Sequence, residues 1–390
     1  MSHYRIPFSG RAHTYTEDEV QIVIDVMQTA VPLTQGKYQQ AFQQKFCGYT
    51  GAKNAFAVNN ATAALELSAQ LCQFEQVDEV IIPAHTYTAS AYPFVKKGAK
   101  IVWADIDLKT RVVTAHSIEQ CITKNTKAIV VVHLYGFCAD MPSIMELAKK
   151  HNLLVIEDTA QALGSRINGQ MAGTFGDLGI FSFHSHKNMT TLGEGGMLVV
   201  KNQKMADIIP KLRHNGHCGF DFEREQYWLP AMGNVDLPEL NGQPVWPNNY
   251  CLGEVECALG VKLLDRIDDM NTQKRQRAMQ FIDAMAEYSE LEFHREETNR
   301  HNYHLLVARV INGRRDIFMT KMVEAGVQCA VQYYPLNRYD FYKKAGFGEA
   351  SCPNTDLFFD NMVSFPFNHM MTDETFSDLI ATTKKVIIDL

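Results

Sequence analysis

The chain has 390 residues, 46% hydrophobic and 21% charged, which is enough to bury a large core in two domains and excludes a disordered or fibrous protein. A net charge of −7, with no Lys/Arg block, argues against nucleic acid or an anionic membrane as the main partner. No apolar run approaches the roughly 18 residues of a membrane span and the first residues lack an apolar leader core, so a cytoplasmic protein is expected. Nine scattered cysteines without a C-x-x-C pair suggest reduced thiols, with neither disulfides nor a metal site.

In chain order, Thr16-Glu17-Asp18-Glu19 forms a capping box. Val20, Val23, Ile24 and Met27 then recur at helical spacing and predict an amphipathic first helix. After a loop containing Thr34-Gln35-Gly36, a second helix is expected over Tyr38–Tyr49, with Phe42 and Phe46 on one face. Ala55–Leu67 turns from strand into helix through Asn59-Asn60-Ala61-Thr62, where Asn and Thr are natural helix caps. Glu79–Pro83 is a short strand emptying into Ala84-His85-Thr86-Tyr87-Thr88, and Ile101–Ala104 and Ala128–Val132 are further strands. Ala139–His151 is a helix that tolerates Pro142 in its first turn.

Leu153–Ile156 is a buried strand that delivers Glu157 and Asp158 to its carboxyl end, where open α/β sheets bind ligands. The D-T-A-Q run after it is by itself a helix-cap signal. Leu178, Ile180, Phe181 and Phe183 then form a strand, followed by a polar turn with His184, Ser185, His186 and Lys187, a Gly193–Gly196 hairpin and a strand over Met197–Val200. A lysine between strands is sheltered, and its amine is the group that condenses with an aldehyde and can be tuned to act as a base; most lysines in turns are simply solvated. The long stretch from His214 through Trp228-Leu229-Pro230 to Trp246–Tyr250 predicts a packed functional loop. Beyond it the expected elements are a helix from Glu254 to Met270 continuing to about Tyr288, strand His304–Val310 and helix Asp316–Ala325. A strand near Gln328–Tyr333, strand Met362–Phe365 and helix Asp373–Ile388 complete the chain. Strands alternating with helices predict an α/β protein, with a mostly parallel mixed sheet sandwiched by helices. The division expected is a large domain over residues 1–265 and a smaller C-terminal α+β domain over 266–390.

VIEDTAQALGS followed by GDLGIFSFHSHKNMTTLGEGG resembles the DegT–StrS group of pyridoxal 5′-phosphate (PLP) sugar aminotransferases, and the likeness runs from about Thr34 to about Asn368. The resemblance implies PLP fold type I. It also implies Lys187 as the lysine that holds the cofactor, Asp158 facing the pyridine nitrogen and Gln161 at the phenolic oxygen. Tyr87 would stack on the ring, and Thr62, the Ala63 amide and Ser182 would hold the phosphate. Ala61 stands where relatives have glycine. Asn249 would reach across a homodimer to the partner's phosphate, and Cys251 replaces an arginine common in relatives, which leaves any anion contact made there in doubt.

By the same resemblance, the reaction moves an amino group from glutamate to a keto or aldehyde sugar of a surface glycan. The acceptor favoured is the 8-oxo form of the sugar acid Kdo, in lipopolysaccharide biosynthesis; the alternative is a nucleotide-linked 3- or 4-keto-6-deoxysugar. Related dehydratases carry histidine in place of the lysine, and the spacing from Phe183 assigns that position to Lys187, not His186. A non-catalytic homologue is a further alternative, since fold alone proves no chemistry.

Overall fold

The computed structural model describes residues 4–8, 11, 13–219, 233–296 and 301–390. Apolar, largely β-branched runs such as Val80-Ile81-Ile82 and Ile129-Val130-Val131 are buried on both faces, which is the signature of central parallel strands. They belong to a seven-stranded sheet in the order Ala55–Val58, Gly196–Val200, Leu178–Ser182, Leu154–Asp158, Thr126–Val132, Glu79–Pro83, Lys100–Ala104. From Leu178–Ser182 to Lys100–Ala104 each neighbouring pair is parallel, and Gly196–Val200 runs antiparallel to both strands beside it. Helices lie in the crossovers up to Leu154–Asp158, whereas the connection from there to Leu178–Ser182 holds only the short strands Arg166–Ile167 and Gln170–Met171. Met141–His151 is one of these helices, started by Asp140, whose carboxylate accepts from the Ser143 amide, with Pro142 in the first turn.

Phe42 and Phe46, fully buried on helix Lys37–Thr50, pack on the strand that precedes Lys187. The Phe46 and Phe181 rings meet edge to face at 4.9 Å, and Phe42 and Phe183 meet at a tilt at 5.4 Å. The chain just before the candidate lysine is therefore fixed by aromatic packing.

A second, three-stranded antiparallel sheet pairs Leu291–Phe293, Leu306–Val310 and Met362–Phe365, with helices Arg315–Glu324 and Asp373–Ile388 nearby. Residues near the start of the chain join this part. Ile6 donates its amide to Gly326 O at 3.0 Å and accepts from the Gln328 amide at 2.9 Å.

Four expectations are corrected. The helix from Glu254 is two helices, Glu254–Leu263 and Ile267–Ala284, because Arg266 leaves helical geometry and turns its guanidinium to Glu19, Nη2 to Oε2 at 2.8 Å, and to Thr14 O at 2.8 Å. No strand forms over 328–333. Ala330 exchanges one pair of backbone bonds with Ser364, and the Gln332 carbonyl is taken by the Tyr135 hydroxyl instead of a ladder partner. The first helix, Glu17–Thr29, forms, but it packs through Glu19 and Val26, leaving Val20, Ile24 and Met27 exposed at 47%, 40% and 65%. Trp246 is exposed, not packed, and Trp228-Leu229-Pro230 lies outside the described residues.

Candidate active site

A cavity of about 610 Å³ opens at the carboxyl ends of the parallel strands, where this sheet class places its ligands. Thr62, Tyr87, Asp158, Gln161, Ser182 and Lys187 all line it. Ala63 and Asn249 are not among its lining residues, and neither are Thr34, Gln35 and Gly36. Those three belong instead to the start of helix Lys37–Thr50, where the Glu254 carboxylate accepts from the Gly36, Tyr38 and Gln39 amides.

Asp158 ends its strand and is buried, with Oδ2 accepting from Ser90 Oγ at 2.7 Å and Oδ1 from the Ala160 amide at 3.1 Å. Strand alternation sends its neighbour Glu157 to the other face. There Glu157 accepts from the amides of Gly173, Phe175 and Gly176 at 2.8, 2.7 and 2.7 Å, which makes it a clamp on a turn. Of the two acidic residues delivered by the strand, Asp158 alone faces the cavity.

Ser182 ends the adjoining strand opposite Gly196. A Cβ on Gly196 would lie 2.5 Å from the Asn60 carbonyl carbon and 2.8 Å from the Ala61 nitrogen, so only glycine lets the strand approach the start of helix Ala61–Cys72. Asn60 caps that helix by accepting from the Ala63 amide at 2.8 Å. The Ala63 amide is therefore spent on the cap. The amides of Ala61 and Thr62 come before the first intrahelical bond, and both residues line the cavity beside Ser182. Free amides, a helix dipole and two hydroxyls at one corner suit an anion such as a phosphate.

Lys187 sits in a turn held by Lys187 N to His184 O at 2.8 Å and Ser185 N to Gly193 O at 3.0 Å. Its side chain faces the cavity, and its amine donates to no protein acceptor among the described residues. Burial pushes this amine down to about 8, partly opposed by the Asp158 carboxylate. His184 and His186 stack beside it at 5.1 Å, and burial lowers the His186 imidazole, favouring its neutral form.

Gln161 bridges two walls: Oε1 accepts from the Tyr135 amide at 2.7 Å and Nε2 donates to the Tyr333 hydroxyl at 3.0 Å. Tyr87 stands 57% exposed, its ring edge-on to Tyr333 at 5.8 Å. Asn249 is exposed outside the cavity of its own chain, in a backbone bridge with His214.

The motifs in the sequence do not reveal a second lysine. Lys274, on helix Ile267–Ala284, lines the cavity and is buried, donating to His304 O at 2.6 Å and to Asn188 Oδ1 at 3.1 Å. A signal was present, since Lys274 falls on the stripe of Ile267, Met270, Ala278 and Phe281, where a lysine is out of place. The one grouping of metal-ligand types among the described residues, His294, Glu296 and His301, has its ligand atoms within 4.8 Å of one another and packs around Phe137, outside the cavity.

An unpaired amine and a buried carboxylate on adjoining strand units, next to an anion-binding helix start, match the aldehyde, pyridine and phosphate of PLP. This is a PLP-dependent transaminase of fold type I. More narrowly, the chain belongs to the DegT/DnrJ/EryC1/StrS aminotransferase family, whose sequence profile matches residues 13–384. It is 30% identical over 392 residues, 98% of this chain and 96% of the other, to the spore coat polysaccharide biosynthesis protein SpsC of Bacillus subtilis. It is 37% identical over 263 residues, 67% of each protein, to GDP-perosamine synthase of Escherichia coli O157:H7. The PLP form of the sugar aminotransferase Spr1654 from Streptococcus pneumoniae superimposes with a TM-score of 0.87 at 28% identity, covering 99% of both chains. The protein is a sugar aminotransferase, and no helix among the described residues is long and apolar enough to cross a membrane.

Proposed function

We propose that this enzyme transfers an amino group from glutamate to a keto or aldehyde sugar of a surface glycan, using Lys187 and Asp158 as its catalytic pair. The observation that carries the assignment is the Lys187 amine, buried, without a protein partner among the described residues, and in one cavity with Asp158. Bound PLP supplies an electron sink for the charge that develops at the substrate carbon. Lys187 would hold the cofactor and, when free, would take the proton from the donor's α-carbon in one half-reaction and return a proton to the sugar carbon in the other. Asp158 would keep the pyridine nitrogen protonated, Gln161 would meet the phenolic oxygen and Tyr87 would cover the ring. Thr62, Ser182 and the amides of Ala61 and Thr62 take the phosphate; the Ala63 amide, committed to Asn60, supports that corner as part of the cap.

Two expected results test these roles. Covalent capture of PLP by the apoprotein needs the neutral amine. Its rate should rise about tenfold per pH unit below the Lys187 value of about 8 and level off above it, read from growth of the visible band in stopped flow. A flat profile from pH 6 to 9 would remove Lys187 from this role. Gly196→Ala should force Asn60 and Ala61 away from Ser182 and weaken PLP retention by about tenfold, roughly 1.4 kcal/mol, in equilibrium dialysis. Unchanged retention would place the phosphate elsewhere.

The assembly proposed is a homodimer with shared active sites, in which Asn249 reaches the partner's phosphate. The exposed stripe of Val20, Ile24 and Met27, continued by Val31 at 95% and Leu33 at 54%, supports a covering subunit. A monomeric mass in sedimentation would sink this part. We place the division between large and small domains at 265/266, which sets the cavity between them, with Lys274, His304, Gln332 and Phe367 on the small side.

For the acceptor we favour a free sugar acid, the 8-oxo form of Kdo, because Arg11 and Lys274 give the cavity cationic groups beyond Lys187. The similarity to a GDP-perosamine synthase supports a second reading, a nucleotide-linked 3- or 4-keto-6-deoxysugar. The test loads the enzyme with glutamate and offers each sugar, following the return of the visible band and the product mass. Return with 8-oxo-Kdo alone supports the first reading; return with the nucleotide sugar alone replaces it with the second.

A further inference from the structure

Lys274 is a buried cation with no carboxylate partner among the described residues. Such a group is costly in a fold, since its desolvation is not repaid by an ion pair. Its surroundings are ordered by a chain of hydrogen bonds with fixed polarity. Asn271 Nδ2 donates to Leu163 O at 2.9 Å, so Asn271 Oδ1 faces Asn188 and accepts from its Nδ2 at 2.7 Å. Asn188 must then turn Oδ1 towards Lys274 and towards His304 Nδ1, each at 3.1 Å. His304 accordingly carries its hydrogen on Nδ1, and burial holds this imidazole well below its usual value, so it is neutral. Two of the three N–H donors of Lys274 are used, on Asn188 and on His304 O, while the side chain lines the cavity with the Phe367 ring centroid 5.4 Å from Nζ. One donor of the amine remains for a ligand.

We propose that Lys274, held by Asn188 and His304, is the carboxylate-binding subsite of the cavity and takes a carboxylate of a substrate. This rests on the transaminase reading above and adds the residue that recognises substrate charge, a need that Cys251 cannot meet. Burial lowers the Lys274 amine to about 7, and an arriving carboxylate restores its charge. The carboxylate belongs either to the amino donor or to an acidic sugar acceptor, and the half-reactions separate the two.

The test compares the holoenzyme with Lys274→Met, which keeps the stem without the charge, and with Lys274→Arg. Glutarate, an unreactive dicarboxylate, is titrated by calorimetry, and each half-reaction is then followed alone. Lys274→Met should bind glutarate at least tenfold more weakly with its PLP content unchanged, and Lys274→Arg should recover most of the affinity. A tenfold rise in the glutamate concentration for half-maximal rate assigns the donor carboxylate. A rise confined to an acidic keto sugar, with a neutral keto sugar unaffected, assigns the acceptor. Glutarate affinity within twofold of the parent, or equal losses in both variants together with lost PLP, would overturn the proposal in favour of a packing role. If Lys274→Met gives no folded protein, Asn188→Asp neutralises the ammonium in place and should lower glutarate affinity similarly; unchanged affinity there overturns the proposal. Calorimetry does not depend on turnover. Failure of the transaminase reading would appear separately, as a parent enzyme whose visible band does not respond to glutamate.

Discussion

Lys187→Ala is expected to abolish transamination, lowering both half-reactions by at least about 10³-fold, while leaving the protein folded and as stable as its parent. The catalytic side of this expectation follows from the proposed role of the amine as both covalent anchor and base. The stability side follows from what the structure does not spend on it: Nζ donates to no protein acceptor among the described residues, and the turn is held by backbone bonds that alanine keeps. Removing a desolvated amine costs no hydrogen bond and relieves the burial that lowers it to about 8. Thermal melting and single-turnover spectra measure the two halves independently. The variant should lack the lysine-linked visible band and yet bind PLP through the phosphate corner. Substantial turnover by a folded Lys187→Ala protein would remove this residue from the centre of the mechanism.

Much of the site was legible because Asp158 ends one apolar strand and Lys187 lies in the turn just after another. Leu153–Ile156 and Leu178–Phe183 can be little other than buried strands, and the residues after them are carried to the sheet edge. The assignment of Asn60 as a cap also holds, with the Ala63 amide as its donor. The sequence was silent where tertiary contacts decide. No Gly or Pro marks the break at Leu264–Arg266, which arises from an ion pair to Glu19 on a distant helix. The apolar stripe of the first helix has the right period, but period cannot say whether its cover is the same chain or another. Lys274 belongs to no motif; only as a charge on a buried helical stripe was it visible in principle.

Asp158→Asn should retain the fold and bound PLP while slowing both half-reactions by about 10² to 10³-fold. The substitution is nearly isosteric, and both bonds that hold the carboxylate can survive it. The Ala160 amide still finds the side-chain oxygen, and the Ser90 hydroxyl at 2.7 Å can rotate to accept from the new amide nitrogen instead of donating. What is lost is the negative charge that, in the proposed role, would keep the pyridine nitrogen protonated, and with it the pull on electrons leaving the substrate carbon. That carboxylate also raises the Lys187 amine against the effect of burial, so its removal should move the pH at which the apoprotein captures PLP below about 8. A structural role for Asp158 predicts lowered stability with no such displacement. A charge role predicts a shifted capture profile, slowed chemistry and an unchanged melting temperature. Rates equal to the parent's in both half-reactions would take Asp158 out of the electron-sink role.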